Sequence, residues 1–162
     1  MRRLTLLRHG HAEAEGAQGD AERALTRRGD QEAWSSAARL AALDLVPQRI
    51  LASAAVRTRQ TAQIAQSSFG LPSTALTLEP RLYLADAFTL LEEISGVSAQ
   101  VDHLLVVGHN PGLSELVHLL APRSSFGSLE TGAWATLEIQ ALSQGALDAV
   151  HASFDRAEAP AR

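Results

Sequence analysis

The sequence predicts an α/β fold in three layers, a mostly parallel central sheet flanked by helices. Two observations predict it. Strand-like and helix-like segments alternate along the chain, as in consecutive βαβ units. The run His103 to Val107 (HLLVV) is apolar without alternation, as expected of a strand covered on both faces. Leu4 to Leu7 forms the first strand. Thr26 is placed to N-cap a helix reaching about Leu43, with Trp34, Ala37, Ala38 and Ala41 as its buried stripe. Arg49 to Ser53 (RILAS) is the second strand. The helix from about Ala54 to Phe69 follows, with Ser53 as its N-cap and Gly70 and Pro72 as its stop. Thr74 to Leu78 is a third strand, and Phe88 to Ile94 lies in a third helix. After HLLVV, Asn110 as N-cap and Pro111 at the first helical position open a fourth helix through Leu113 to Leu120. Trp134 to Ile139 and Leu147 to Phe154 close the sheet, joined by a turn at Ser143 to Gly145. Residues 1–154 are expected to form one domain and residues 155–162 a frayed polar tail.

Composition narrows the function. The 162 residues are 46% hydrophobic and 20% charged, an ordinary globular balance. A net charge of −4 gives no electrostatic footprint for nucleic acid or an anionic membrane. There is no cysteine, which excludes thiolate nucleophiles and thiolate zinc sites and fits a cytoplasmic location. All 14 basic residues are arginine, so Schiff-base and Walker lysines are excluded too. The apolar stretch after Arg2 and Arg3 stops at Arg8, too short for a secretory h-region, and no transmembrane segment follows.

In open α/β sheets, ligands bind beyond the carboxyl ends of the parallel strands. Three segments of this chain fall there. Arg8-His9-Gly10 follows the first strand, where Gly10 permits a tight turn and close approach to a ligand. In SAAVRTRQT, Arg57 falls in the first turn of a helix, where a cation opposes the helix dipole. It is either a solvated surface residue or a partner of the helix N-terminus in holding a phosphate. Gly108-His109-Asn110-Pro111 brings a second histidine to the same edge. A single histidine after a strand is most often structural. Two histidines and two arginines together suit phosphoryl transfer through a phosphohistidine, in which a neutral imidazole attacks phosphorus while Arg8, Arg57 and a protonated His109 neutralise the phosphoryl oxygens. That chemistry calls for no metal and no cofactor. His11 forms an H-x-H pair with His9, a weaker pointer to a metal that Arg8 would repel. His103, His118 and His151 have no partner at motif spacing and are expected to be structural. Trp34 and Trp134 are expected in the core. The acidic loop of Glu13, Glu15, Asp20 and Glu22 is either solvated or steers a basic surface.

RHG after the first strand, an arginine opening the second helix and Gly-His-Asn-Pro after the fourth strand resemble the histidine phosphatase, or phosphoglycerate mutase-like, superfamily. The stretches DAERALTRRG (20–29), SAAVRTRQTA (53–62), LYLA (82–85) and VVGHNPGLSEL (106–116) are similar to the small SixA-type phosphohistidine phosphatases. The resemblance implies that His9 is the nucleophile and that Arg8, Arg57 and His109 form the phosphate pocket, with Gly10 and Asn110 beside it. Arg23, in the D-x-x-R-x-L-T stretch, either reaches the phosphate or pairs with Asp20 or Glu22. The implied substrate is phosphohistidine on a protein, such as a histidine-phosphotransfer domain. The alternatives are a small-molecule phosphomonoester phosphatase and a catalytically silent phosphate-binding module. The chain departs from the family pattern in three ways. No glutamate stands within PRLYLAD, where many ester phosphatases of the superfamily carry a general acid, and Glu79 and Asp86 only flank it. Asn110 stands where the acid phosphatases have aspartate. Ala24 stands where the family usually has proline.

Overall fold

The computed structural model describes residues 3–142 and 146–155, and the expected turn at Ser143 to Gly145 and the polar tail lie outside them, except Asp155. Among these residues six strands form one sheet: β1 (Arg3–Arg8), β2 (Arg49–Ser53), β3 (Leu76–Glu79), β4 (His103–Gly108), β5 (Trp134–Leu142) and β6 (Ala146–Asp155). Their spatial order is β3-β2-β4-β1-β5-β6. The first four run parallel, while β5 lies antiparallel to β1 and β6 antiparallel to β5. Four helices complete the layers: α1 (Arg27–Ala42), α2 (Val56–Ser68), α3 (Ala87–Ser95) and α4 (Gly112–Leu120). The expected α/β/α architecture is therefore observed.

The sheet separates two apolar cores. On one face Leu4, Leu6, Leu104 and Val106 pack with Leu90 and Ile94 of α3 and Leu113, Leu116 and Val117 of α4. On the other, Leu7, Ile50, Leu105, Val107 and Trp134 meet Ala37 and Leu40 of α1 and Ala62 and Ala65 of α2. Every residue of β4 is buried, as its unbroken apolar run requires.

Four local expectations are corrected. Thr26 does cap α1, its side chain accepting from the Gly29 amide, but the buried stripe is Gly29, Ala33, Ser36, Ala37 and Leu40. Trp34 stays 46% exposed, and Ala38 and Ala41 face outward. The phase of this alanine-rich helix is set by backbone contact. A Cβ on Gly29 would stand 1.9 Å from the His11 carbonyl oxygen, so only a glycine at that point lets the helix meet the loop after β1. Ser53 is not the cap of α2, which is preceded by Ala55 without a side-chain cap. Asn110 is not the cap of α4 either. Pro111 occupies that position, and the Asn110 Oδ1 accepts from the Ser114 amide and hydroxyl. The third strand starts at Leu76 because Ser73–Ala75 form a single 3-10 turn.

Candidate active site

The register aligns three parallel strands so that their carboxyl ends finish together: Arg8 lies opposite Gly108, and Ala52 opposite Val107. The residues just beyond are His9, His109 and, in the first turn of α2, Arg57. All three are buried, at 7%, 3% and 2% exposure. Arg8 donates from Nη1 to the Leu129 carbonyl (3.0 Å). Its Nε is buried without a hydrogen-bond partner. The Gly10 amide donates to the Thr61 hydroxyl (3.2 Å), which itself donates to the Arg57 carbonyl (2.8 Å). The second turn of α2 thus holds both the RHG loop and Arg57. A Cβ on Gly10 would stand 2.3 Å from the Gly29 carbonyl oxygen, which accounts for the glycine of the RHG triplet.

Hydrogen bonds fix both imidazole tautomers. His9 Nδ1 is 2.7 Å from the Gly10 carbonyl, which can only accept, so Nδ1 carries the proton. His9 Nε2 is left as a lone pair, and Arg57 donates to it from Nε at 3.3 Å. Burial above all, reinforced by Arg57 and Arg8, lowers the His9 pKa to about 4. His9 is therefore a neutral imidazole at neutral pH, with its lone-pair nitrogen turned toward the guanidinium. Its ring centroid lies 5.4 Å from that of His109. His109 is wired the other way round. Its Nδ1 receives Arg57 Nη2 (3.3 Å), so Nε2 carries the proton and donates to Ser53 Oγ (2.8 Å). Burial first, then Arg57, lowers its pKa to about 3. Burial beside a guanidinium favours the neutral form of His109, and an anion in contact with it would favour the charged form.

Four residues that the motifs did not single out complete the site. Ser53 and Thr61 are the buried hydroxyls just described. Asp20, placed in an acidic loop and offered as a partner for Arg23, forms an ion pair through Oδ2 with Arg57 Nη2 (2.9 Å) and through Oδ1 with Arg23 Nη1 (2.8 Å). Tyr83, from LYLA, donates its hydroxyl to Asp20 Oδ2 (2.6 Å) and sets its ring edge-on to His109. Hydrogen bonds from Tyr83 and Arg23 hold the Asp20 carboxyl well below the usual carboxylate range, and the same contact raises the Tyr83 pKa. The spacing of Asp20 and Arg23 in D-x-x-R was a usable signal for this cluster. Nothing in the sequence pointed to Ser53 as a partner of His109.

The remaining candidates are accounted for by their contacts. Arg23 makes the expected pair with Asp20 and also donates from Nε to the Glu13 carbonyl (2.5 Å). The Asn110 amide donates to the Leu129 carbonyl (2.7 Å), so its contacts secure the start of α4 and the carbonyl that Arg8 also uses. His11 Nδ1 lies 2.9 Å from Thr26 Oγ1, and its amide donates to Glu32. No group of three or more metal-binding side chains occurs among the described residues. Glu79 accepts from the Arg81 amide and Asp86 from the Thr89 amide, so both carboxylates cap short helices. His103 contacts Thr5, and His118 contacts the Gly127 carbonyl. Trp134 is buried as expected, and the His151 side chain lies outside the described set. No described helix is long and apolar enough to cross a membrane.

The parallel strand ends of this α/β/α sheet thus gather two histidines and two arginines at one edge. The chain belongs to the histidine phosphatase superfamily, whose branch 1 model matches residues 4–83. It is 36% identical over 115 residues to the uncharacterised protein Rv1276c of Mycobacterium tuberculosis, covering 71% of this chain and 70% of that one. Among solved structures it is similar to the protein histidine phosphatase SixA complexed with tungstate, with 25% identity, a TM-score of 0.77 and 94% of each chain covered. An Agrobacterium tumefaciens protein bearing the SixA name gives 29% identity and a TM-score of 0.72, over 85% of this chain and 91% of that one. The mycobacterial glucosyl-3-phosphoglycerate phosphatase Rv2419c shares the fold, with 19% identity, a TM-score of 0.66, and 99% of this chain and all of that one covered.

Proposed function

We propose that the protein is a phosphatase that works through a phosphohistidine at His9 and removes phosphate from phosphohistidine on a protein. In this reading His9 Nε2 attacks phosphorus, the N–P bond of the substrate breaks, and the substrate imidazole leaves. Water then attacks the phosphoryl group on His9, releasing inorganic phosphate and restoring the imidazole. Arg8 and Arg57 neutralise the phosphoryl oxygens, and His109 joins them once the arriving dianion favours its protonation.

One observation carries the choice of substrate: the carboxylate that touches the pocket, Asp20, is held ionised by Tyr83 and two arginines, and it accepts protons poorly. Glu79 and Asp86 cap helices instead. An alkyl phosphate expels a strongly basic alkoxide and benefits greatly from a positioned proton donor. A phosphohistidine protonated on its other ring nitrogen releases neutral imidazole without one. The likeness to SixA supports the same reading.

The test compares kcat/KM for a phosphohistidine protein, a phosphoramidate, an aryl phosphate and a sugar phosphate. The N–P substrates are expected to lead and aryl to exceed alkyl esters. Efficient hydrolysis of the sugar phosphate, abolished by changing Glu79 or Asp86, overturns the choice and favours a small-molecule esterase. Turnover of none of them leaves a phosphate-binding module. Quenching during turnover should leave acid-labile, base-stable label on the parent and none on His9→Ala.

A further inference from the structure

Arg57 presents two edges of one planar guanidinium to different neighbours. Its inner edge faces the histidines, Nε toward His9 Nε2 (3.3 Å) and Nη2 toward His109 Nδ1 (3.3 Å). Its outer edge is held by a single residue twice over: Nη1 donates to the Asp20 main-chain carbonyl (2.7 Å), and Nη2 to Asp20 Oδ2 (2.9 Å). Asp20 is itself anchored from two further directions, by Arg23 Nη1 (2.8 Å) and the Tyr83 hydroxyl (2.6 Å). It sits in a short 3-10 turn, Asp20–Glu22, that follows the exposed loop 13–18.

We propose that Asp20 is a positioning residue for Arg57: by engaging the outer edge of the guanidinium, it commits the inner Nε–Nη2 edge to the phosphoryl group that His9 attacks, and Tyr83 holds Asp20 in that role. The proposal rests on the reading of His9 as the nucleophile. An arginine has five donors in a fixed plane, and it stabilises a phosphoryl group best when two parallel N–H groups meet two oxygens. Without the Asp20 carboxylate, the outer edge keeps only the main-chain carbonyl of residue 20, and the tilt of the Arg57 plane is less firmly set. The same carboxylate is an anion close to the site of an anionic substrate. Its removal should therefore harm the chemical step without weakening phosphate binding.

That opposition makes the experiment specific. The parent, Asp20→Asn and Tyr83→Phe are compared in kcat and KM with an aryl phosphate, in Kd for inorganic phosphate by calorimetry, and in the exchange protection of the Arg57 Nε–H in nitrogen-edited spectra of the ligand-free protein. For Asp20→Asn, kcat should fall about 10- to 100-fold, the scale of a small misplacement of a catalytic group. Phosphate should bind as tightly as to the parent or more tightly, and the protected Arg57 signal should be lost. Tyr83→Phe should move kcat in the same direction by less, which keeps the proposal testable if Asp20→Asn folds poorly. An unchanged kcat in Asp20→Asn overturns it. So does a kcat loss matched by an equal loss of phosphate affinity, since that reports general damage to the pocket. If the parent hydrolyses nothing, the proposed function fails, and the Arg57 signal alone judges Asp20: lost in Asp20→Asn it stands, equal in both it falls.

Discussion

Ser53→Ala tests whether the second histidine is held as the geometry requires. Ser53 is fully buried and its Oγ accepts the Nε2 proton of His109 at 2.8 Å. Alanine removes one oxygen, adds no atom and leaves a buried imidazole N–H without its partner. Such an orphaned donor costs about 1–3 kcal/mol. An unfolding entropy of about 2.1 cal/mol/K per residue amounts to roughly 0.34 kcal/mol/K for a chain of this length, so Tm should fall by about 3–9 °C. The second effect is positional. Arg57 Nη2 still keeps the His109 proton on Nε2, but the ring loses the acceptor that fixes its angle. Turnover should fall about 10-fold or more through a misplaced His109. Differential scanning calorimetry and steady-state kinetics check the two effects separately. Ser53→Thr, which keeps the hydroxyl, discriminates the lost hydrogen bond from mere disturbance of the strand end. Should Ser53→Ala melt and turn over like the parent, the hydrogen bond from His109 to Ser53 does not hold the ring and the reasoning fails.

Four further outcomes are expected. Arg57→Lys keeps a positive charge but loses the planar fork, and should lower kcat/KM by about 100-fold or more; parental kinetics would return Arg57 to a purely structural role. Gly10→Ala places a Cβ 2.3 Å from the Gly29 carbonyl oxygen and should fold poorly, whereas Gly16→Ala meets nothing within 4 Å and should melt within a degree or two of the parent. Sulfate, which does not titrate near neutrality, should bind with uptake of a proton at pH 6–7, because His109 starts neutral with a pKa of about 3 and an anion favours its charged form. Calorimetry in buffers of different ionisation heat measures that proton, and zero uptake would contradict the switch in His109. Finally, His103, buried against Thr5 with Arg3 nearby, has its pKa lowered to about 4 by burial first and then by Arg3. The unfolded chain binds this proton near pH 6.5 and the native state only near 4, so the stability His103 supports is complete above pH 6.5 and lost as pH falls through 4. Between pH 7 and 5, urea unfolding of the parent should lose about 2 kcal/mol more than that of His103→Gln; parallel losses would show that the site is not a neutral buried imidazole.

Local physics wrote much of this protein legibly. HLLVV is covered on both faces, and no other setting suits an unbroken apolar strand. Thr26 before a run of helix formers caps α1, because its hydroxyl meets an orphan amide at short range. Gly10 and the four residues Arg8, His9, Arg57 and His109 could be placed together because parallel strands with helical crossovers bring their carboxyl ends to one edge. Each of those inferences needs only the periodicity of a segment or a rule about chain direction.

What the sequence could not settle is decided where two distant segments touch. The face of α1 that turns inward depends on Gly29 meeting the His11 carbonyl, a contact no periodicity encodes, and so Trp34 fell on the wrong side. Ser53 looked like a helix cap because its spacing to α2 suited one, yet its hydroxyl goes to a histidine 56 residues away. Asp20 was legible as a solvated carboxylate or a partner for Arg23. Only folding adds Arg57 and Tyr83 to it, and only the combined donors hold it as an anion. The charge states follow the same rule: His9 and His109 carry ordinary side chains whose neutrality arises from burial beside Arg57. The sequence by itself determined that Arg8, His9, Arg57 and His109 share one sheet edge, because strand order and direction act over short stretches of chain. The tertiary structure decided their protons, partners and orientation, because desolvation and hydrogen bonding depend on everything packed around a group.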